Sequence, residues 1–93
     1  MEPQELARAF RVLSVETRIR IIQMLKQKSL CVNALAHRLG ITPAAVSQHL
    51  HVLREAGLVR PEKKGYFVHY SINDAKLSEW RKITGELLEC GSE

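Results

Sequence analysis

Residues 33–58 read NALAHRLGITPAAVSQHLHVLREAGL, and this stretch decides the fold. Ala34, Leu35 and Leu39 form a short apolar stripe that stops at Gly40, where a helix can close on a left-handed residue that glycine adopts cheaply. Thr42 can cap a second helix with its hydroxyl, and Pro43 suits the first helical position, where its missing N–H is no loss. That helix is expected to run from Pro43 to about Ala56, with Gly57 ending it. Two short helices hinged at a glycine make a helix-turn-helix over about residues 33–56.

On the second helix Val46, Leu50 and Leu53 share one face, while Ala44, Ser47, Gln48 and His51 fall on the other or its flank. Only one face is needed for a core. Read as a recognition helix, the free side offers Thr42, Ala44, Ser47, Gln48, His51 and Arg54 to a major groove about 12 Å wide. Gln48 is suited to bidentate pairing with adenine, and Ser47 to a base edge or a phosphate. A protein-interaction module could use the same two helices with a merely solvated face, and it would show no salt-dependent binding to duplex DNA.

The next segment, LVRPEKKGYFVHYSI (58–72), reads as a two-stranded hairpin wing over about residues 58–72. Tyr66, Val68, Tyr70 and Ile72 alternate with Phe67, His69 and Ser71, and Gly65 supplies the permissive turn residue. Pro61 cannot donate to a ladder, which places it at an edge or a bulge. Lys63 and Lys64 at the tip are placed to meet phosphates beside the groove.

The chain has 93 residues, enough for one domain with one modest core and little surface for a separate catalytic cleft. Its net charge is +4, which favours an anionic partner. Residues 31–70 hold five basic and two acidic side chains, whereas residues 71–93 hold three basic and five acidic ones. Positive charge thus lies over the reading head. The start, Met-Glu-Pro-Gln-Glu, has no basic residue or following apolar run of an export signal, and no stretch approaches the roughly 20 apolar residues of a membrane span. A cytoplasmic location without a membrane partner is expected, and two cysteines far apart in the chain fit a reducing compartment.

Leu6, Phe10 and Leu13 make an apolar stripe before Ser14, which is read as a cap, and Ile19, Ile22 and Leu25 make another after it. The last helix, about residues 74–90 and capped by Asn73, offers Leu77, Trp80, Ile83, Leu87 and Leu88. Two broad terminal faces exceed what so small a domain needs to close its core. The stripes through Leu6, Phe10, Leu13, Leu77, Trp80 and Leu87 are therefore expected to form a homodimer interface, with two recognition helices matched to DNA half-sites about 34–36 Å apart. The competing reading puts Trp80 and its neighbours in the core of one chain.

The segments LSVETRIRII (13–22), LCVNALA (30–36), AVSQHL (45–50), LREAGLV (53–59) and GYFVHYS (65–71), in this order, resemble the ArsR/SmtB family of repressors. The resemblance covers nearly the whole chain. It implies a mainly α winged helix-turn-helix with a β wing, a homodimer that represses by binding a palindromic operator in double-stranded DNA, and release by an inducer, often a toxic metal ion or metalloid.

The inducer residues depart from the family's pattern. A thiolate motif of the form Leu-Cys-Val-Cys-Asp stands here as Leu30-Cys31-Val32-Asn33-Ala34, so one sulfur is missing and Asn33 becomes a suitable helix cap. A soft ion wants three or four thiolates, and Cys31 needs Cys90, a partner chain or added thiols to supply them. The family's zinc motif on the last helix is not matched: Asp74-Ala75-Lys76 stands at its start, and no histidine follows His69. Arsenite or another soft metal(loid), with no obligatory cofactor, is the inducer the resemblance implies. Open beside it are a redox or reactive-sulfur sensor using Cys31 and Cys90, and a regulator with no inducer site of its own. A thiol enzyme built on Cys31 and His37 lacks a third, orienting group.

Overall fold

A computed structural model describes residues 1–90. Helices α1 (Pro3–Leu13) and α2 (Glu16–Leu25) precede a two-residue strand, β1 (Leu30–Cys31). Helices α3 (Val32–Leu39) and α4 (Pro43–Glu55) follow, then strands β2 (Val59–Lys64) and β3 (Phe67–Ile72), and last α5 (Asp74–Leu88). The strands form an antiparallel sheet in the order β1-β3-β2. The wing expected as two strands is thus three: Leu30 pairs with Tyr70 and Cys31 with His69.

The helix-turn-helix forms as its residues dictate. Gly40 closes α3 at φ +68°, with its N–H donating to the Ala36 carbonyl at 2.9 Å. Thr42 caps α4, its Oγ1 accepting from the Ala45 N–H at 3.1 Å, and Pro43 takes the first turn. Gly57 ends the helix at φ +81°, and the Leu58 N–H turns back to the Leu53 carbonyl at 3.0 Å. Helix α5 starts as expected, with the Asn73 side chain accepting from the Lys76 N–H at 3.3 Å.

Two expected caps move. Ser14 closes α1, donating from Oγ to the Arg11 carbonyl at 2.8 Å, and α2 starts from Val15 without a side-chain cap. Cys31, not Asn33, holds the N-cap position of α3, because the chain is already extended there by pairing with β3. Tyr66 belongs to the turn, and β3 begins at Phe67.

Ile21, Leu35, Val46, Leu50, Leu53 and Leu58 are the largest fully buried side chains. The core therefore joins α2, α3 and α4 to the base of the wing. Of the stripe expected on α2, Ile22 and Leu25 are buried but Ile19 is exposed, and Ile21 takes the inner place. Trp80, expected on a dimer face, is buried within its own chain's core.

Candidate nucleic-acid interface

Helix α4 presents two chemically distinct faces. Val46, Leu50 and Leu53 are locked into the core, while Ala44, Ser47, Gln48, His51 and Arg54 are exposed together with the capping residue Thr42. The first two turns therefore carry small and hydrogen-bonding side chains, which allows close approach to base edges. Thr42 spends its hydroxyl oxygen on the cap, leaving its O–H free to donate outward. Arg54 stands in the last turn, where its cation also complements the carbonyl end of the helix.

Helix α4 is braced from behind. Nε of Arg18 donates to Nδ1 of His49 at 3.3 Å, and Nη1 of Arg18 donates to the Val12 carbonyl at 3.3 Å. His49 is half-buried, and its pKa is lowered, first by burial and then by the Arg18 charge. It stays neutral and can accept. This link was missed in the sequence, where His49 shows no partner within one helical turn.

The wing is tied to the same body. The Asn73 amide donates to the Gly57 carbonyl at 3.0 Å and the Asn73 N–H to the Leu58 carbonyl at 2.8 Å, so the end of α4 and both wing strands meet at one joint. Lys63 and Lys64 are exposed near the tip, and Nζ of Lys64 also donates to Ser29 Oγ at 3.4 Å.

Cys31 is half-buried and Cys90 is exposed just past α5, and both are free thiols. Cys31, His69 and Glu62 form one row across β1, β3 and β2, with Nδ1 of His69 buried and unpartnered among the described residues. No spacing in the sequence could bring Cys31 and His69 together, because only the register of β1 does so. Among the described residues no group of three or more His, Cys, Asp or Glu side chains can hold a metal ion. One sulfur in a row with imidazole and carboxylate does not fit the three thiolates a trivalent arsenic would want from a single chain.

Of the apolar terminal residues, Phe10, Leu87 and Leu88 are exposed, whereas Leu13 and Leu77 pack against the core and Leu6 is half-buried. Leu13, Ile22, Leu77, Trp80 and Thr84 line a groove between α5 and the first two helices. No helix among the described residues is long and apolar enough to cross a membrane.

The sequence profile of the family described as "Bacterial regulatory protein, arsR family" matches residues 16–60. The arsenical resistance operon repressor of Escherichia coli (strain K12) is 35% identical over 85 residues, covering 90% of this chain and 73% of that protein. The cadmium resistance transcriptional regulatory protein CadC homolog of Staphylococcus aureus is 32% identical over 78 residues, 83% of this chain. Those residues are 64% of that protein, so the chain spans just under two thirds of its length. Among solved structures, a possible transcriptional regulator for arsenical resistance is 36% identical, with a TM-score of 0.79, over 86% of this chain and 83% of that one.

Proposed function

This chain belongs to the arsR family of bacterial regulatory proteins, DNA-binding regulators rather than enzymes, and from that premise we propose that it is a homodimeric operator-binding repressor. The observation that carries the reading is the division of α4, with Val46, Leu50 and Leu53 fully buried and Ser47, Gln48, His51 and Arg54 left free. An amphipathic helix clamped by its apolar side can hold its polar side at a fixed angle to a groove. Gln48 and Ser47 read base edges, Thr42 and Arg54 hold the helix on phosphates, and Lys63 and Lys64 anchor the wing. Two copies joined through α1 and α5, covering Phe10 and Leu87, would match a palindromic operator.

Release is assigned to a thiol-directed inducer acting at Cys31. Cys31 stands at the N-cap position of α3 and its backbone pairs with the wing strand, so a group added to its half-buried sulfur strains both. Arsenite requires further sulfurs from Cys90, the second subunit or exogenous thiols, while an oxidised sulfur species requires only Cys31 and one more thiol.

The deciding experiment selects duplexes from a random pool, then titrates binding with salt and with candidate inducers. Tight, salt-sensitive binding to a two-fold symmetric sequence supports the repressor, and failure to enrich any duplex removes it. Loss of binding on adding arsenite with thiols, absent in Cys31→Ser, supports the sensor.

A further inference from the structure

We propose that the wing tip is an aromatic wedge that enters the minor groove and unstacks a base step, so that the protein also selects its site by how easily the duplex deforms. The inference rests on the DNA-binding reading above and adds to it a mode of recognition by residues outside α4.

Tyr66 and Phe67 are two of only five aromatic side chains in the chain. Tyr66 is 100% exposed and Phe67 59% exposed, and Val68 beside them is exposed as well. Tight turns ordinarily take Gly, Asn, Asp or Ser, which cost nothing in water. Here Gly65, at φ +64°, makes the turn possible and the next three residues are large and apolar. Nothing lies within 4 Å of where a Cβ on Gly65 would stand, so the tip is open on that side.

The register sets the surroundings of this tip. Lys64 stands opposite Phe67 and Lys63 opposite Val68. Because neighbouring pairs point to opposite faces of a hairpin, each face of the tip carries one ammonium and one apolar side chain. Such a tip suits a partner with anionic rims and an apolar, π-faced interior. The minor groove of a duplex is that partner: lysines meet the phosphates on its two sides, and apolar side chains inserted between base steps kink the helix toward the major groove. Glu62, one pair further back, faces β3 at His69 rather than the tip.

The base of the wing supplies rigidity. Leu58 and Val59 are buried at the end of α4, and Asn73 binds the joint through two hydrogen bonds. The six residues of β2 then carry the tip about 20 Å from that joint. Docking of α4 therefore fixes where Tyr66 and Phe67 land. Pyrimidine–purine steps such as TA and CA unstack most readily, and they are expected at that position of each half-site.

The test uses the full chain and a duplex chosen by random-pool selection, with 2-aminopurine at the step nearest the wing and a fluorophore at each end. Native protein should raise the 2-aminopurine emission and shorten the end-to-end distance. Tyr66→Ser with Phe67→Ser should bind about tenfold more weakly, in keeping with the loss of stacked aromatic side chains, without emission rise or bend, and should lose the preference for TA or CA. Phe67→Leu, which keeps an apolar wedge, should retain the bend. Lys63→Ala should weaken all duplexes and lower the salt slope while leaving the emission change in place. A double serine variant that bends the duplex and prefers TA or CA as the native protein does would overturn the wedge while leaving the repressor reading intact. A native protein that enriches no duplex overturns both. Retention of the native chain by anionic lipid vesicles but not by its operator duplex would assign the tip to a membrane surface instead.

Discussion

Arg18 holds helix α4 by a side-chain hydrogen bond in which Nε donates to the unprotonated Nδ1 of His49 at 3.3 Å. The same guanidinium reaches the Val12 carbonyl, so a single cation ties α4 to the end of α1 through α2. Burial first, and the Arg18 charge second, hold the His49 pKa below its ordinary value. A histidine more easily protonated in the unfolded chain binds more protons there, so stability rises with pH across the window between the lowered value and the ordinary one, about 6.5. The contribution is complete above about pH 6.5 and fades as pH falls toward the lowered value. Denaturant midpoints measured from pH 7.5 to 5.5 should therefore fall more steeply for the native protein than for His49→Gln, and identical slopes would show that the link does not titrate.

Thr42→Ala should cost about 1 kcal/mol of stability, because the Ala45 N–H loses its cap while Pro43 still starts the helix. Thr42→Ser should recover most of that loss. Urea midpoints compare the three proteins directly.

Gln48→Ala and Lys63→Ala should separate base reading from phosphate anchoring. The first should lose discrimination among duplexes, at roughly 1–3 kcal/mol for a bidentate contact, and the second should weaken every duplex alike. Competition binding against selected and scrambled duplexes measures both. If Gln48→Ala weakens selected and scrambled sequences equally, the amide has no part in reading bases.

Native protein at micromolar concentration should have twice the chain mass of 10.6 kDa by light scattering. Leu87→Glu should shift it toward the monomer, since Leu87 is exposed on α5 and its loss opens no cavity within the chain. Trp80 is a poor choice for this test, because its removal would damage the core as well. A monomeric native protein would remove the α1 and α5 interface.

Alkylation of Cys31 should weaken operator binding, and Cys31→Ser should bind normally and ignore thiol-directed inducers. A tenfold change in affinity corresponds to only about 1.4 kcal/mol of difference between the two states. Gel-shift titrations before and after treatment with N-ethylmaleimide test it. A Cys90→Ser protein with the native response would leave Cys31 as the responding thiol.

The helix-turn-helix was legible because its signals are local. Gly40, Thr42, Pro43 and Gly57 each act within a turn of their own position, and Val46, Leu50 and Leu53 repeat at the helical period. Strand β1 was not legible, since two residues carry no period and their partners Tyr70 and His69 lie far along the chain. The same pairing moved the N-cap of α3 from Asn33 to Cys31: an extended backbone imposed from outside outranked a good capping side chain. The stripe read on α2 took Ile19 with Ile22 and Leu25, but the packed helix turns Ile21 inward and leaves Ile19 exposed, a choice that the three-residue spacing alone does not make. The exposed polar residues of α4 were readable as a group because the helix has one apolar face. The Arg18–His49 and Cys31–His69 relationships join residues on different elements, which a periodicity cannot express.

Strand β2 is an outer strand of its sheet, with one side of its backbone open. Such an edge invites strands of other molecules to add on, the first step toward aggregation. Pro61 sits in that strand opposite Tyr70, and a proline is tolerated there only with its nitrogen turned away from the ladder. A joining strand therefore finds a missing donor, followed by the charged run Glu62, Lys63 and Lys64. The edge is a poor template for its own kind, and a hairpin that carries exposed aromatics at its end stays a separate blade in a crowded solution.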